Sequence, residues 1–449
     1  MLTDLIDEPH EKRAIATEEG RAATELHMFA NVLFNQSAGG LNDFVRAHDL
    51  FIEPDRSIID APGAANIPEL LEHATGFAPG RAWALLYALA TGWLTKSTED
   101  LAEGRLAQNK STYLSTLGRL SVADVERAFA MACWEAGDLQ SAICRRYEHG
   151  RVSIEALRSY DFLPFEKRPL VAFGESVTCV SIPLLLRLTT SSLQHRFLDT
   201  DIFAEDQREA FLRTRGKLFE RYALDALVRT FGPRFFPEAN LLPFAADAKV
   251  CDGLVVYDNA LILIEAKAAM VPLDTRNTES YGRYRDTVRR TTREAADQLE
   301  STANLVAIGA FRSLGIDPAC IRQVYPVVAL LEQIVTPLTY RSILDKDLAG
   351  HPLLTRMAAG RAAPIQLLHV TEVELWEIAA ESGCDIRDLL RTKVSDQEMQ
   401  EMSFNHFCHH RKEPFLNRRG EWYARRFGEI TAEIRRELVA LGLTLREEA

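Results

Sequence analysis

At 449 residues the chain is too long for one ordinary hydrophobic core, so two or three domains are expected. Hydrophobic residues at 47% and charged residues at 26% match an ordinary folded protein and exclude a largely disordered one. The net charge of −12 excludes a surface coated all over in nucleic acid but leaves room for a local basic groove.

The amino terminus, MLTDLIDEPHEKR, is acidic and polar where a secretory signal is basic and then apolar, so no export is expected. From Thr17 to Arg158, apolar residues recur three and four apart in TELHMFANVLFNQ, IPELLEHATG and VADVERAFAMACWEAGDLQSAICRRY, which predicts an α-helical domain over residues 1–160. Asn66 and Ser121 read as polar helix caps, each followed by an acidic first turn. The longest apolar run, Ala82 to Leu94, falls short of the ~20 residues that span a bilayer and reads as a buried helix, so no membrane association is expected. Residues 161–204 form a connecting segment in which PLVAF, Gly174-Glu175-Ser176 and VTCVSIP predict a short β-hairpin. Cysteines 133, 144, 179, 251, 320, 384 and 408 are scattered and never spaced C-x-x-C, which argues against disulfides or structural zinc and for a reducing cytoplasm.

A helix is predicted from Glu205 to Phe231, ended by Gly232-Pro233. Strands follow at 234–242, 249–257 and 260–266, then a long helix to about Leu305, a strand at 324–332, a helix near 337–348 and a strand at 364–370. The order α-β-β-β-α-β-α-β predicts an α/β (α+β) domain over residues 205–390, a mixed sheet flanked by helices. Residues 391–449 return to helix and either close over the sheet or pack on the amino-terminal helices.

Chemistry concentrates in Cys251-Asp-Gly-Leu-Val-Val-Tyr-Asp-Asn-Ala-Leu-Ile-Leu-Ile-Glu-Ala-Lys267. A two-residue turn at Asp258-Asn259 sets Tyr257 opposite Ala260, Val255 opposite Ile262 and Asp252 opposite Glu265. Opposed residues of such a pair have Cβ atoms roughly 4.5–5.5 Å apart, so both carboxylates reach one cation. Without a cation they repel each other and suffer desolvation. Strand alternation puts Lys267 on the same face as Glu265. Leu254, Val256, Leu261 and Leu263 face one way and Val255, Tyr257, Ile262 and Ile264 the other, which marks a central pair covered by helices on both sides. A hard, oxygen-ligated ion such as Mg²⁺ fits between these acids. Just downstream, Arg276, Arg283, Arg285, Arg289, Arg290 and Arg293 form either a basic groove beside the site or an ordinary solvated helix face.

These residues resemble the PD-(D/E)XK nuclease superfamily, the restriction-endonuclease-like proteins that include Mrr-like and RecB-like nucleases. Asp252 followed by Glu265-Ala266-Lys267 looks like its D…ExK motif, Glu220 in Gly216-Lys-Leu-Phe-Glu220 matches the acid of its first helix, and Gln298 in REAADQLE resembles the glutamine of its following helix. The resemblance covers residues 205–390. Cys251 replaces the motif's proline, and Thr302 stands where RecB-like members carry tyrosine. The resemblance implies an endonuclease dependent on Mg²⁺, with Mn²⁺ as a substitute, acting on DNA, with bacterial defence against foreign DNA as a setting. Asp252 and Glu265, with the Ala266 carbonyl, would ligate the ion, Glu220 would hold a second ion or water, Lys267 would orient or deprotonate the attacking water, Gln298 would position the lysine or substrate, and the arginines would grip phosphates. A catalytically silent module for nucleic-acid binding or assembly and an RNA nuclease are the alternatives, and the amino-terminal helices are a candidate surface for a protein partner or self-association. His406-Phe-Cys408-His409-His410 reads as a polar helix with a buried cysteine rather than a metal site, since adjacent histidines on a helix do not share a face.

Overall fold

The computed structural model describes residues 40–94, 107–110, 118–148, 163–270, 281–332, 346–358 and 360–442. Contacts divide the chain into two compact units. The described residues from 40 to 218 and from 422 to 442 belong to one, and those from 219 to 421 to the other. No described helix is long and apolar enough to cross a membrane.

The helices of the first unit start and stop where their caps say they should. Asn66 accepts the Glu69 amide at the start of the helix Ile67–Thr75, and Gly76, at φ 72°, ends it in the left-handed conformation that glycine adopts without strain. The apolar run lies in α1 (Pro79–Leu94), where Trp83 stacks on Phe44 at 4.4 Å and donates its indole N–H to the Thr189 carbonyl. The unit is not wholly helical. β1 (Ala107–Asn109), β2 (Cys133–Glu135), β3 (Leu170–Phe173) and β4 (Ser176–Cys179) form a sheet in the order β1-β4-β3-β2. The expected hairpin is β3–β4, turning at Gly174 with φ 63°. The continuous helix expected through Cys133-Trp134 is instead broken between Ala130 and Ala136. There β2 pairs parallel to β3, and the Trp134 indole donates to the Pro164 carbonyl, so tertiary pairing overrides helical periodicity.

In the second unit β5 (Phe235–Pro237), β6 (Gly253–Val256), β7 (Ala260–Lys267), β8 (Gln323–Leu330) and β9 (Gln366–His369) lie side by side in chain order. β5, β6 and β7 are antiparallel neighbours, while β7, β8 and β9 run parallel. The sheet is mixed, as expected, and it is not a barrel. One face, with Val255, Ile262 and Ile264, packs under the second half of α2 (Glu205–Phe231) and under Trp376, Phe404 and Phe407. The other, with Leu254, Leu261 and Leu263, packs under Val288, Ala296 and Leu299 of α3 (Tyr281–Ala307). The strand expected over 234–242 is much shorter, because Glu238–Leu241 turns into helix after Pro237. Most of the helix expected at 337–348 lies outside the described residues.

The unit boundaries fall at 218/219 and 421/422 rather than at the expected 204/205 and 390/391. Packing explains both shifts. The first half of α2 belongs to the amino-terminal unit, where Phe211 stacks on Phe197 at 4.6 Å and Thr214 accepts the Ala65 amide. Residues 391–421 carry Phe404, Phe407 and Phe415 into the core around Trp376 of α4 (Val370–Glu381). Only α5 (Glu421–Ala440) returns, setting Phe427 against Phe44 and Arg426 against Asp49 at 3.0 Å. The carboxyl-terminal residues thus take both of the expected courses.

Candidate metal centre

The hairpin register is the one the turn dictates. Val255 pairs with Ile262 and Gly253 with Ile264, and the Tyr257 amide donates to Ala260 across Asp258-Asn259. Carrying the ladder one residue further sets Asp252 opposite Glu265. The Asp252 carboxylate accepts the Ala266 amide at 2.6 Å, so the two strand ends are tied by the side chain itself. The approach to β6 is fixed from α3: Thr302 accepts the Cys251 amide at 2.7 Å, and Ser301 donates to the Lys249 carbonyl at 2.6 Å.

Lys267 donates to Glu265 Oε1 at 2.6 Å and to Gln298 Oε1 at 2.9 Å, so the ammonium is held between β7 and α3. Asp252 is 7% exposed and Glu265 fully buried. Glu265 Oε2 is buried with no hydrogen-bond partner. Burial, and then the Asp252 charge, push the Glu265 carboxyl up to about 8, with Lys267 pulling the other way. Burial raises Asp252 to about 6 against the Ala266 amide and Lys267, with Glu238 adding to the rise. At both acids burial outweighs the pull of the Lys267 ammonium.

One carboxylate oxygen from each of Glu220, Glu238 and Asp252 lies within 4.8 Å of the other two. Glu265 stands outside that trio, tied to Lys267. Glu238 was not expected from the sequence. It is delivered by β5, whose register sets Pro237 opposite Gly253, so that the Glu238 amide donates to the Asp252 carbonyl at 2.9 Å. The three grouped oxygens are all carboxylate oxygens. That set suits a hard divalent cation.

Among the described residues, no arginine of α3 is recorded in contact with this cluster. At about 100° per residue, Arg285, Arg289 and Arg293 point roughly 140–180° around α3 from Gln298, and Arg290 about 80°. Arg289 and Arg293 instead reach Asp347, at 3.7 Å to its carboxylate and 3.3 Å to its carbonyl. Arg276 and the Arg283 side chain lie outside the described residues. Around the helix Phe404–Arg411, Cys408 is buried while His406, His409 and His410 are exposed.

Gly253 has a packing role beside Asp252. A Cβ there would sit 2.6 Å from Phe235 Cζ, so the ring of β5 lies directly over the glycine. Gly253→Ala is expected to destabilise the protein by roughly 1–3 kcal/mol and to weaken divalent-metal binding by shifting β5 and Glu238. Thermal melting and a Mn²⁺ titration of the variant check both effects. No family model matches the chain, and no curated protein matches it.

Proposed function

We propose that residues 219–421 form a restriction-endonuclease-like domain and that the protein is a divalent-metal-dependent nuclease acting on DNA in the cytoplasm. The reading is carried by the gathering of Glu220, Glu238 and Asp252 beside the partly buried Glu265–Lys267–Gln298 chain. A structural ion pair would need only Lys267 and Glu265. It would not account for the gathering of three further carboxylates or for the buried Glu265 Oε2 that has no hydrogen-bond partner. Asp252, Glu265, Glu220 and Glu238, with the Ala266 carbonyl, would hold Mg²⁺ or Mn²⁺, which supplies Lewis acidity and makes bound water acidic. Lys267 would orient the water and offset charge developing on the phosphoryl oxygens. Gln298 would aim the lysine through the bond it accepts from Nζ. Bacterial defence against foreign DNA rests on analogy with the resembled family.

The test is incubation of supercoiled DNA, linear DNA and structured RNA with wild type and Asp252→Asn, in Mg²⁺, Mn²⁺ or chelator. Metal-dependent DNA cleavage by wild type alone is expected. RNA cleavage alone would make the protein a ribonuclease. Salt-sensitive binding by both proteins without cleavage of any substrate would make it a silent binding module.

A further inference from the structure

A cavity of about 240 Å³ opens within the amino-terminal unit, remote in composition from the acidic site. Its wall carries Arg127, Lys167, Arg168 and Arg196 against one carboxylate, Asp199. Part of that charge is already engaged: Lys167 meets Asp199 at 3.6 Å, and Arg127 pairs with Asp124 at 2.5 Å. Arg168 lies over the Trp134 ring at 4.7 Å. Among the described residues neither Arg168 nor Arg196 forms an ion pair. Arg196 Nε and Nη2 are buried with no hydrogen-bond partner. Burial, and then the Arg168 charge, push the Arg196 guanidinium down to about 10, against the pull of Asp199.

A third donor is idle in the same wall. Ser192 is 1% exposed, and its hydroxyl has no partner although the residue caps the short helix Leu193–Leu198, where a serine ordinarily bonds the following turn. Buried donors without acceptors are rare, and two guanidiniums facing one space are mutually repelling. An anion with several oxygens removes both penalties.

We propose that this cavity binds a compact phosphate-bearing small molecule, its phosphate taken by Arg196, Arg168 and the Ser192 hydroxyl. Two cations without carboxylate partners call for a doubly charged ligand, and guanidinium forks match tetrahedral phosphate oxygens. The volume lies below the ~300–1,000 Å³ of drug-sized sites, which limits the ligand to a phosphate with a small appendage. The proposal is independent of the nuclease reading, since every lining residue belongs to the other unit.

Pyrophosphate and glycerol 3-phosphate serve as probes of the full chain, by calorimetric titration and thermal melting at matched ionic strength. Wild type is expected to bind at least one of them saturably and to melt higher in its presence. Arg196→Met should weaken that binding by roughly tenfold or more, with the probe-free midpoint unchanged or raised because a buried like charge is gone. Ser192→Ala, nearly isosteric, should bind more weakly with no change in the probe-free midpoint. Failure of wild type to bind either probe, equal binding by wild type and both variants, or a lower probe-free midpoint for Arg196→Met would each overturn the proposal.

Discussion

Lys267→Ala is expected to fold and to cleave roughly 10²–10⁴-fold more slowly than wild type under single-turnover conditions with saturating Mn²⁺. The ammonium makes two short contacts, to Glu265 and to Gln298, and is the cation placed against the buried acids. Removing it takes away the group that would meet the attacking water. It also strips Glu265 Oε1 of its partner, which favours the protonated carboxyl and weakens metal binding. A Mn²⁺ titration alongside the cleavage assay separates the two losses. Lys267→Arg should not restore the rate, because a planar fork cannot replace a compact ammonium held between two oxygens. Unchanged cleavage by Lys267→Ala would remove the lysine from the reaction.

Glu265→Gln is expected to change the pH dependence of stability. The folded-state value of about 8 lies above the ordinary 4.5, so the folded protein retains a proton that the unfolded chain releases. The associated stability is complete below about 4.5 and is lost as pH rises through about 8. Asp252 adds a smaller loss in the same direction between 3.8 and about 6. Metal-free wild type should therefore lose on the order of a few kcal/mol across this window, while Glu265→Gln, with no proton to release, should show a flatter profile. Mg²⁺ or Mn²⁺ should stabilise wild type more at pH 8 than at pH 6, since at the higher pH the ion no longer competes with protons. Calorimetric unfolding over that range, with and without chelator, reads both effects. Parallel profiles for wild type and variant would mean that Glu265 titrates normally.

What was legible in the sequence is what short-range rules control. The Asp258-Asn259 turn fixed the pairing of β6 with β7, and strand alternation divided Leu254, Leu261 and Leu263 from Val255, Ile262 and Ile264 as the structure does. Lys267 and Gln298 meet because alternation turns the lysine to the face that α3 covers. Glu238 was hidden because the chain between β5 and β6 is too long for a turn rule to set register, and nothing local to Phe-Phe-Pro-Glu marks its neighbour as Asp252. Cys133–Glu135 was hidden for a similar reason: the strand exists because Leu170–Ala172 lies beside it, and its own periodicity reads as helix. The arginines illustrate the limit of nearness in sequence: the turn of α3 carries Arg289 and Arg293 toward Asp347.

α2 runs unbroken from Glu205 to Phe231, and the boundary between the units falls inside it, just ahead of Glu220. A fragment beginning at residue 219 would leave Glu220 in the first, fraying turn of a severed helix, its backbone amides unbonded and its side chain no longer held toward Asp252. One beginning at residue 205 would keep the helix but bare the apolar surface of Phe211 and Leu218, both buried in the whole chain. The acidic cluster therefore takes one of its carboxylates from the interior of a long helix. A fragment that keeps the cluster would have to keep the turns of α2 that precede Glu220.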